Sequence, residues 1–506
     1  MVHCPKTKSK EAAVLGEQRR DEKLFYAVRM EEFVPKNHLL RHIDEAVDLS
    51  FIKNKVKHLY SRTGRPSVDP EVLIRMLLVG YLYGIPSERR LCEDVRMHIG
   101  YRWFVGLGLE DKVPDHSTFS KNRHARFSES GLFQEIFDEI VQQCIEKGLV
   151  HGKHLTVDST DLAANASIKS MEPIVVDLKP KEYIDQLEAQ AETQDKPWEP
   201  WDDSPHRGRK VRNKTHRSKT DPDARFSKKS SGGSTYLGYS ATYVMDNKSR
   251  VIVGAAVGKP DKKSDCDAAF AQLMRLKWRY KLRPKTLGGD KGYSGATFLH
   301  ALLQEKIIPH IPVARYGAHS TKGIYSIEDF TFDSTDNIFL CPAGKRLRYW
   351  GYHKISRQYV YRASIPDCRV CAQKQQCTKD RARSVSFHIH KDAIEKAKAL
   401  SQTSVYRISQ RMRKRIEELF GEAKETMGFR RAKFRRTKWV QEQVLMTATA
   451  QNIKRMVKFL SRPKQKTGAV AVRAVGVRAA KQTLKRILDH FFAKRTFNQS
   501  PCMLGW

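Results

Sequence analysis

The spacing of apolar residues changes period along the chain, and those changes divide it into segments. From Val34 to about Phe127 the pattern is helical: His38–Tyr60 carries Leu39, Ile43, Val47, Phe51 and Val56 at helical intervals. GRPSVDP then reads as a turn, with Asp69 as N-cap and Pro70 in the first helical position. The helix that follows should bury Val72, Leu73, Met76, Leu77 and Tyr81. Further helices are predicted to begin near Ser87 (PSERRLCEDVR) and after an Asp115 cap (PDHSTFSKNRHARF). Residues 1–30 are charged and weakly patterned, and are expected to be loosely ordered.

A different period begins at HLTVDST (His154–Thr160), which is strand-like. From about Ser170 to Ser234 the chain is polar, with Pro, Gly and charge runs, and reads as a long surface insertion. YLGYSATYVM and RVIVGAAVG flank the turn DNKS and predict a β-hairpin. DAAFAQLMRLKWRY predicts a helix, KTLGGD a strand ending at Asp290, and IIPHIPVA another strand. This order suits an α/β mixed sheet of the ribonuclease H kind. A second insertion, about 317–395, is rich in strand signals. Long helices are predicted over Val405–Met427 and Trp439–Leu460. The expected organisation is a loose N-terminus (1–30), a helical domain (31–130), an α/β domain (150–460) with insertions at 170–234 and 317–395, and a basic tail (461–506).

Composition narrows the partners. The 506 residues carry 93 Lys and Arg against 56 Asp and Glu, a formal net charge of +37, and the pI is about 9.9. Such a chain favours a polyanion, because neutralising phosphates releases condensed counterions. The best apolar run, Val72–Ile85, is too short to span a bilayer and contains Arg75. The N-terminus lacks an apolar signal core, so a cytosolic or nucleoid-associated protein is expected. Lys121, Arg123 and Arg126 form a compact basic surface on the last N-terminal helix, suiting either a helix-turn-helix-like DNA-binding module or a plain solvated bundle.

Three acids in unlike settings are the candidate chemistry: Asp158 in HLTVDST, Asp290 in TLGGDKGY and Glu417 in RKRIEELFGEAK. Carboxylates on adjoining strands and a crossing helix can hold two divalent cations about 3.5–4 Å apart, as phosphodiester chemistry requires. Each acid has a plainer reading: Asp158 and Asp290 as turn formers, Glu417 as the i,i+4 partner of Arg413. At 100° per residue, Arg413, Glu417 and Lys424 fall within about 40° of one another, beside the apolar stripe of their helix. Arg413 and Lys424 could then hold phosphates while Glu417 reaches a metal.

These strings together resemble bacterial insertion-sequence transposases of the DDE type, in the ribonuclease H-like and retroviral-integrase superfamily. The N-terminal part resembles their helical domain through GRPSVDPEVLIRMLLVGYLYGIPSERRL, YRWFVGLGL and VPDHSTFSKNR. The catalytic part does so through VDST-LAANAS, TDPDARF, GGDKGY and RIEELFG-AK. The resemblance runs from about Phe33 to Leu460. It implies that Asp158, Asp290 and Glu417 are the catalytic acids holding two Mg²⁺, with Mn²⁺ as a substitute. It further implies cleavage at the terminal inverted repeats and strand transfer, with double-stranded DNA as partner and a homodimer in the synaptic complex. Many relatives carry a Tyr-Arg-Glu-Lys pattern, with two, three and six residues between its members; Arg413, Glu417 and Lys424 fit it, and Gln410 stands where they have Tyr.

Cys341, Cys368, Cys371 and Cys377 are spaced C-x26-C-x2-C-x5-C. Four thiolates suit tetrahedral Zn²⁺, with reduced cysteine as the alternative. FRRAKFRRTK (Phe429–Lys438) follows the long helix directly and reads as a phosphate-contacting strip through Arg430, Arg431, Arg435 and Arg436. Two other functions stay open: a nuclease of the same fold without strand transfer, and a catalytically inactive, transposase-derived DNA-binding protein.

Overall fold

The computed structural model describes residues 29–61, 63, 67–127, 130–174, 213, 215–228, 233–313 and 324–461. The N-terminal segment, most of the first insertion and the basic tail lie outside the described residues.

The first part is helical: α1 Met30–Phe33, α2 Leu39–Ala46, α3 Phe51–Val56, α4 Pro70–Leu82, α5 Glu88–Met97, α6 Ile99–Val105, α7 His116–Asn122 and α8 Leu132–Glu146. The predicted caps are present, with Asp69 accepting from Glu71 N and Asp115 from Ser117 N, and the helix expected near Ser87 is capped by Ser87 accepting from Arg90 N. The helical spacing of His38–Tyr60 belongs to two helices. Between them Asp48 accepts the Ser50 N–H, and its own N–H and carbonyl bond the side chain of Gln143 on α8. Helix α4 is buried almost all round, as its low polarity requires.

The second part is a mixed six-stranded sheet. Its path is β4 (Arg225–Lys228), β5 (Thr235–Asp246), β1 (His154–Ala163), β7 (Thr286–Gly288) and β8 (Ile308–His310), with β6 (Ile252–Gly258) paired to β5. Strand β1 is antiparallel to β5 and parallel to β7. The short pair β2 (Met171–Pro173) and β3 (His216–Ser218) lies apart. Helices α9 (Lys262–Arg279) and α10 (Ala296–Gln304) occupy the connections that lead to β7 and β8. Further along the chain, a five-stranded antiparallel sheet comprises β9 (Thr331–Asp333), β10 (Ile338–Leu340), β11 (Arg346–His353), β12 (Gln358–Ala363) and β13 (Ser384–His388), with α11 (Ile365–Arg369) and α12 (Lys374–Cys377) between its last strands. The chain closes with α13 (Lys391–Leu400), α14 (Ser404–Thr426) and α15 (Thr437–Leu460).

Helix α15 covers strand β6 by direct amide pairing. Asn452 accepts from Ile252 N at 2.8 Å and donates to its carbonyl at 2.7 Å, while Gln441 accepts from Val257 N at 2.7 Å. These side chains satisfy backbone groups that an uncovered edge strand would expose. The first turn of α15 is held in turn by the TDPDARF segment: Asp221 accepts from Arg436 N and Asp223 from Thr437 N, each at 2.9 Å.

Candidate active site

Strand register brings the first two acids together. Thr156 on β1 pairs with Gly288 on the parallel neighbour β7. Asp158 and Asp290 each lie two residues further along, and the Asp290 charge acts on the Asp158 carboxyl. Asp158 sits within β1 and not at its end, because the strand continues to Ala163. Asp290 follows β7 and caps a short 3₁₀ turn, its Oδ1 accepting from Gly292 N at 2.8 Å. A Cβ on Gly292 would lie 2.9 Å from that same oxygen, so the glycine leaves room for the carboxylate. The turn is tied back to β1 by the Tyr293 hydroxyl, 2.6 Å from Ser159 Oγ.

The third acid arrives on α14, which packs across β1, β7 and β8. The close approach depends on Gly288, where a Cβ would meet Ser409 Oγ at 3.1 Å and Thr156 Oγ1 at 3.3 Å. Gln410 fixes the helix to the sheet, its Nε2 donating to the carbonyls of Gly289 at 3.2 Å and His310 at 2.5 Å. One turn further, Arg413 reaches Asp158 at 3.4 Å and Glu417 at 3.2 Å. Lys424 donates to Thr160 Oγ1 on β1.

The electrostatics follow from this crowding. Burial pushes the Asp158 carboxyl up to about 6; the charges of Asp290 and Glu417 push the same way, and the Ser159 amide and Arg413 oppose them. Among the described residues, no group of three or more His, Cys, Asp or Glu side chains is arranged to hold a metal ion. At the acidic trio Arg413 pairs with both Asp158 and Glu417 as the local cation. The donor set still fits a divalent ion: a buried carboxylate raised by two acidic neighbours is stabilised by any added positive charge.

The four expected zinc ligands line one small pocket with Ala363, Leu347 and Arg383, and all are free thiols. Cys341 Sγ accepts from Lys345 N at 3.2 Å, and burial together with the other three cysteines raises the Cys377 thiol. The thiols share a cavity without being closed on a common centre. His388 and His390 do not line it; His390 stacks on His300, with ring centroids 3.8 Å apart.

The basic residues separate. Arg123 is not on an exposed basic surface: it is 4% exposed, bonded to Glu442 at 2.7 Å and to Glu88, with Phe434 beneath its guanidinium at 4.4 Å. A buried pair this tight excludes phosphate contact, which corrects the reading of Lys121, Arg123 and Arg126 as one patch. Lys121 is exposed, while Arg126 lies over the Tyr60 ring and donates to Asn122. The strip after α14 is anchored by its backbone. Ala163 N donates to Arg430 O at 3.2 Å and Ala432 N to Ala163 O at 2.7 Å, a parallel bridge that sets the strip beside the end of β1. Arg430 pairs with Glu425, Arg435 donates to Asn165 O, and Arg431 and Arg436 are exposed. Sequence reasoning passed over Gln410, Tyr293 and Ser409 as positioning residues; the glycines of GGDKGY were the available signal.

Residues 28–125 match the family described as Transposase domain (DUF772), and residues 340–457 match Transposase DDE domain, which contains Glu417. No curated protein sequence matches the chain. Among solved structures, the cryo-EM structure of a piggyBac transposase synaptic complex with hairpin DNA aligns over 92% of this chain and 86% of that one, at 10% identity and a TM-score of 0.25, too low to bear on the fold. No described helix is long and apolar enough to cross a membrane. One transposase domain matched in the helical part and a transposase DDE domain matched around the long C-terminal helices support a DDE-type insertion-sequence transposase.

Proposed function

We propose that the protein binds the terminal inverted repeats of its own element and catalyses strand cleavage and strand transfer at Asp158, Asp290 and Glu417. The observation that supports this reading is the parallel register from which Asp158 and Asp290 each lie two residues beyond the Thr156–Gly288 pair, with Arg413 joining Asp158 to Glu417. The strand order, a hairpin on one side of β1 and two parallel strands on the other, supports a ribonuclease H-like core. Mg²⁺ held by the three carboxylates, or Mn²⁺ in its place, would lower the pKa of an attacking water and stabilise the leaving oxygen. In the first step a water oxygen bonds to phosphorus and the 3′ oxygen leaves, giving a 3′-OH end. In the second that 3′-OH attacks a target phosphodiester, and the target's own 3′ oxygen leaves. Arg413 and Lys424 would turn from their protein partners to the DNA phosphates, freeing Asp158 and Glu417 for the metal. Positioning and charge neutralisation supply most of the rate. A homodimer would bring two ends together, on the nucleoid of a bacterial cytoplasm.

One observation favours the inactive, DNA-binding reading: Arg413 already pairs with Asp158 and Glu417 and offsets part of their charge. The test is cleavage and joining of a labelled inverted-repeat duplex in Mg²⁺, by wild type and by Asp158→Asn, Asp290→Asn and Glu417→Gln. Cleavage by wild type and its loss in all three variants, with end binding kept, is the expected result. Wild type that binds ends but never cuts leaves the inactive reading; cleavage without joining from a pre-cut 3′-OH end leaves the nuclease.

A further inference from the structure

From Asp158 onward, strand β1 carries polar side chains on both faces, and the catalytic reading uses only one of them. Alternation along the strand puts Thr156, Asp158 and Thr160 on the face that meets α14, where Arg413 and Lys424 reach the last two. Val157, Ser159 and Asp161 lie on the other face. There Val157 pairs with Val244, Ser159 with Thr242 and Asp161 with Ser240. The second face is therefore apolar up to Val157 and bears hydroxyls from the residue that follows Asp158. Thr242 and Ser240 are 1% and 3% exposed, so these hydroxyls sit where a plain core would hold valine or alanine. A buried hydroxyl costs stability unless it is hydrogen-bonded, which makes the destination of each one informative.

The hydroxyls converge on Asp265, in the first turn of α9. Ser240 Oγ donates to Asp265 Oδ1 at 2.5 Å. Ser159 Oγ lies 2.8 Å from Thr242 Oγ1 and 2.6 Å from the Tyr293 hydroxyl. Burial pushes the Asp265 carboxyl up, while hydrogen bonds from the Ser240 and Ser159 hydroxyls hold it down. Tyr293 closes the 3₁₀ turn that Asp290 caps, and it is buried. Helix α9 packs against that same turn. Hydrogen bonds thus run from Asp265 through Ser159 to Tyr293, behind the strand whose other face presents Asp158. An ionised carboxylate only accepts. Asp265 therefore sets the direction of the chain: Ser159 donates toward it and keeps its lone pairs for the Tyr293 hydroxyl.

We propose that Asp265 is a positioning residue for the metal-binding acids: through Ser159 and Tyr293 it holds the turn carrying Asp290 against the strand carrying Asp158. The proposal rests on the reading that these acids hold divalent metal, and adds an acid on the far face of the sheet that sets their grip. The experiment titrates Mn²⁺ into the full chain without DNA, reading free Mn²⁺ by electron paramagnetic resonance. It compares wild type, Asp265→Asn, Tyr293→Phe and the double variant. An amide offers one acceptor atom where a carboxylate offers two, so Asp265→Asn costs Ser159 its partner. Tyr293→Phe removes the other end of the chain and keeps the ring. Each single variant should weaken Mn²⁺ binding at least about tenfold, as loss of an outer partner of a metal ligand does. The double variant should bind no worse than the weaker single, because both substitutions break one chain. Urea unfolding in EDTA is run alongside. A lowered unfolding midpoint with Mn²⁺ affinity unchanged would make Asp265 merely structural, and that result, or additive losses in the double variant, would overturn the proposal. Wild type that binds no Mn²⁺ would overturn the metal reading itself and this proposal with it, so the two failures are distinguishable.

Discussion

The Arg413 guanidinium lies 3.4 Å from Asp158 Oδ2 across 255 positions of sequence, and 3.2 Å from Glu417 one helical turn away. One cation therefore bridges the acid of the central strand and the acid of the crossing helix. Without Arg413 the ionised acids would face one another uncompensated.

Asp158 should cost stability in metal-free protein. Its folded pKa of about 6 exceeds the ordinary value of 3.8, so the native state holds the proton more tightly than the unfolded chain. Stability is then highest below about pH 4, falls as pH rises to about 6, and stays reduced by up to about 3 kcal/mol. Asp158→Asn should flatten that slope and melt above wild type at pH 8, with little difference at pH 4. Parallel melting curves in EDTA across this range would refute the assignment.

Gln410→Ala should separate positioning from binding. It leaves the Gly289 and His310 carbonyls without their donor, at about 1–3 kcal/mol, and loosens α14 where it meets the strand leading to Asp290. The cleavage rate should fall at least about tenfold, with affinity for the DNA end unchanged. A rise in Kd matched to the loss of rate would instead place Gln410 on the DNA.

Arg123→Met should act on folding and not on DNA. Glu442 is fully buried, and burial pushes its carboxyl up to about 7 even with Arg123 beside it. Removing one partner of such a pair typically costs about 3–5 kcal/mol, to be read by urea unfolding. The salt slope for DNA should stay at the wild-type value. Arg435→Gln with Arg436→Gln should flatten that slope by about two with little change in stability, since each neutralised phosphate contact contributes about one.

Zinc at the cysteine pocket is a structural expectation. Protein prepared without chelator should carry about one Zn²⁺ per chain. Cys371→Ser should lower that content and destabilise the β9–β13 sheet in limited proteolysis, leaving the acidic trio intact. Zinc content near zero in folded wild type would make Cys341, Cys368, Cys371 and Cys377 ordinary reduced thiols.

The hairpin around DNKS, the caps at Asp69 and Asp115, the helix start near Ser87, and the amphipathic course of α14 were all legible in the sequence. Local rules of turn, cap and period are written in neighbouring residues. Helices α8 and α10 escaped that reading, and the break between α2 and α3 did too, because it depends on Gln143 of a distant helix.

The sequence by itself supplied the three candidate acids, the basic charge that suits a phosphate backbone, and the elements that carry each. Only the tertiary structure decided that β1 and β7 run parallel with Asp158 and Asp290 each two residues beyond a shared pair, that Arg413 bridges Asp158 to Glu417, that Gln410 anchors the helix, and that Arg123 is interior. Composition records a residue's charge, but whether that charge meets solvent, DNA or a buried carboxylate is set by the elements packed against it, and those come from distant parts of the chain.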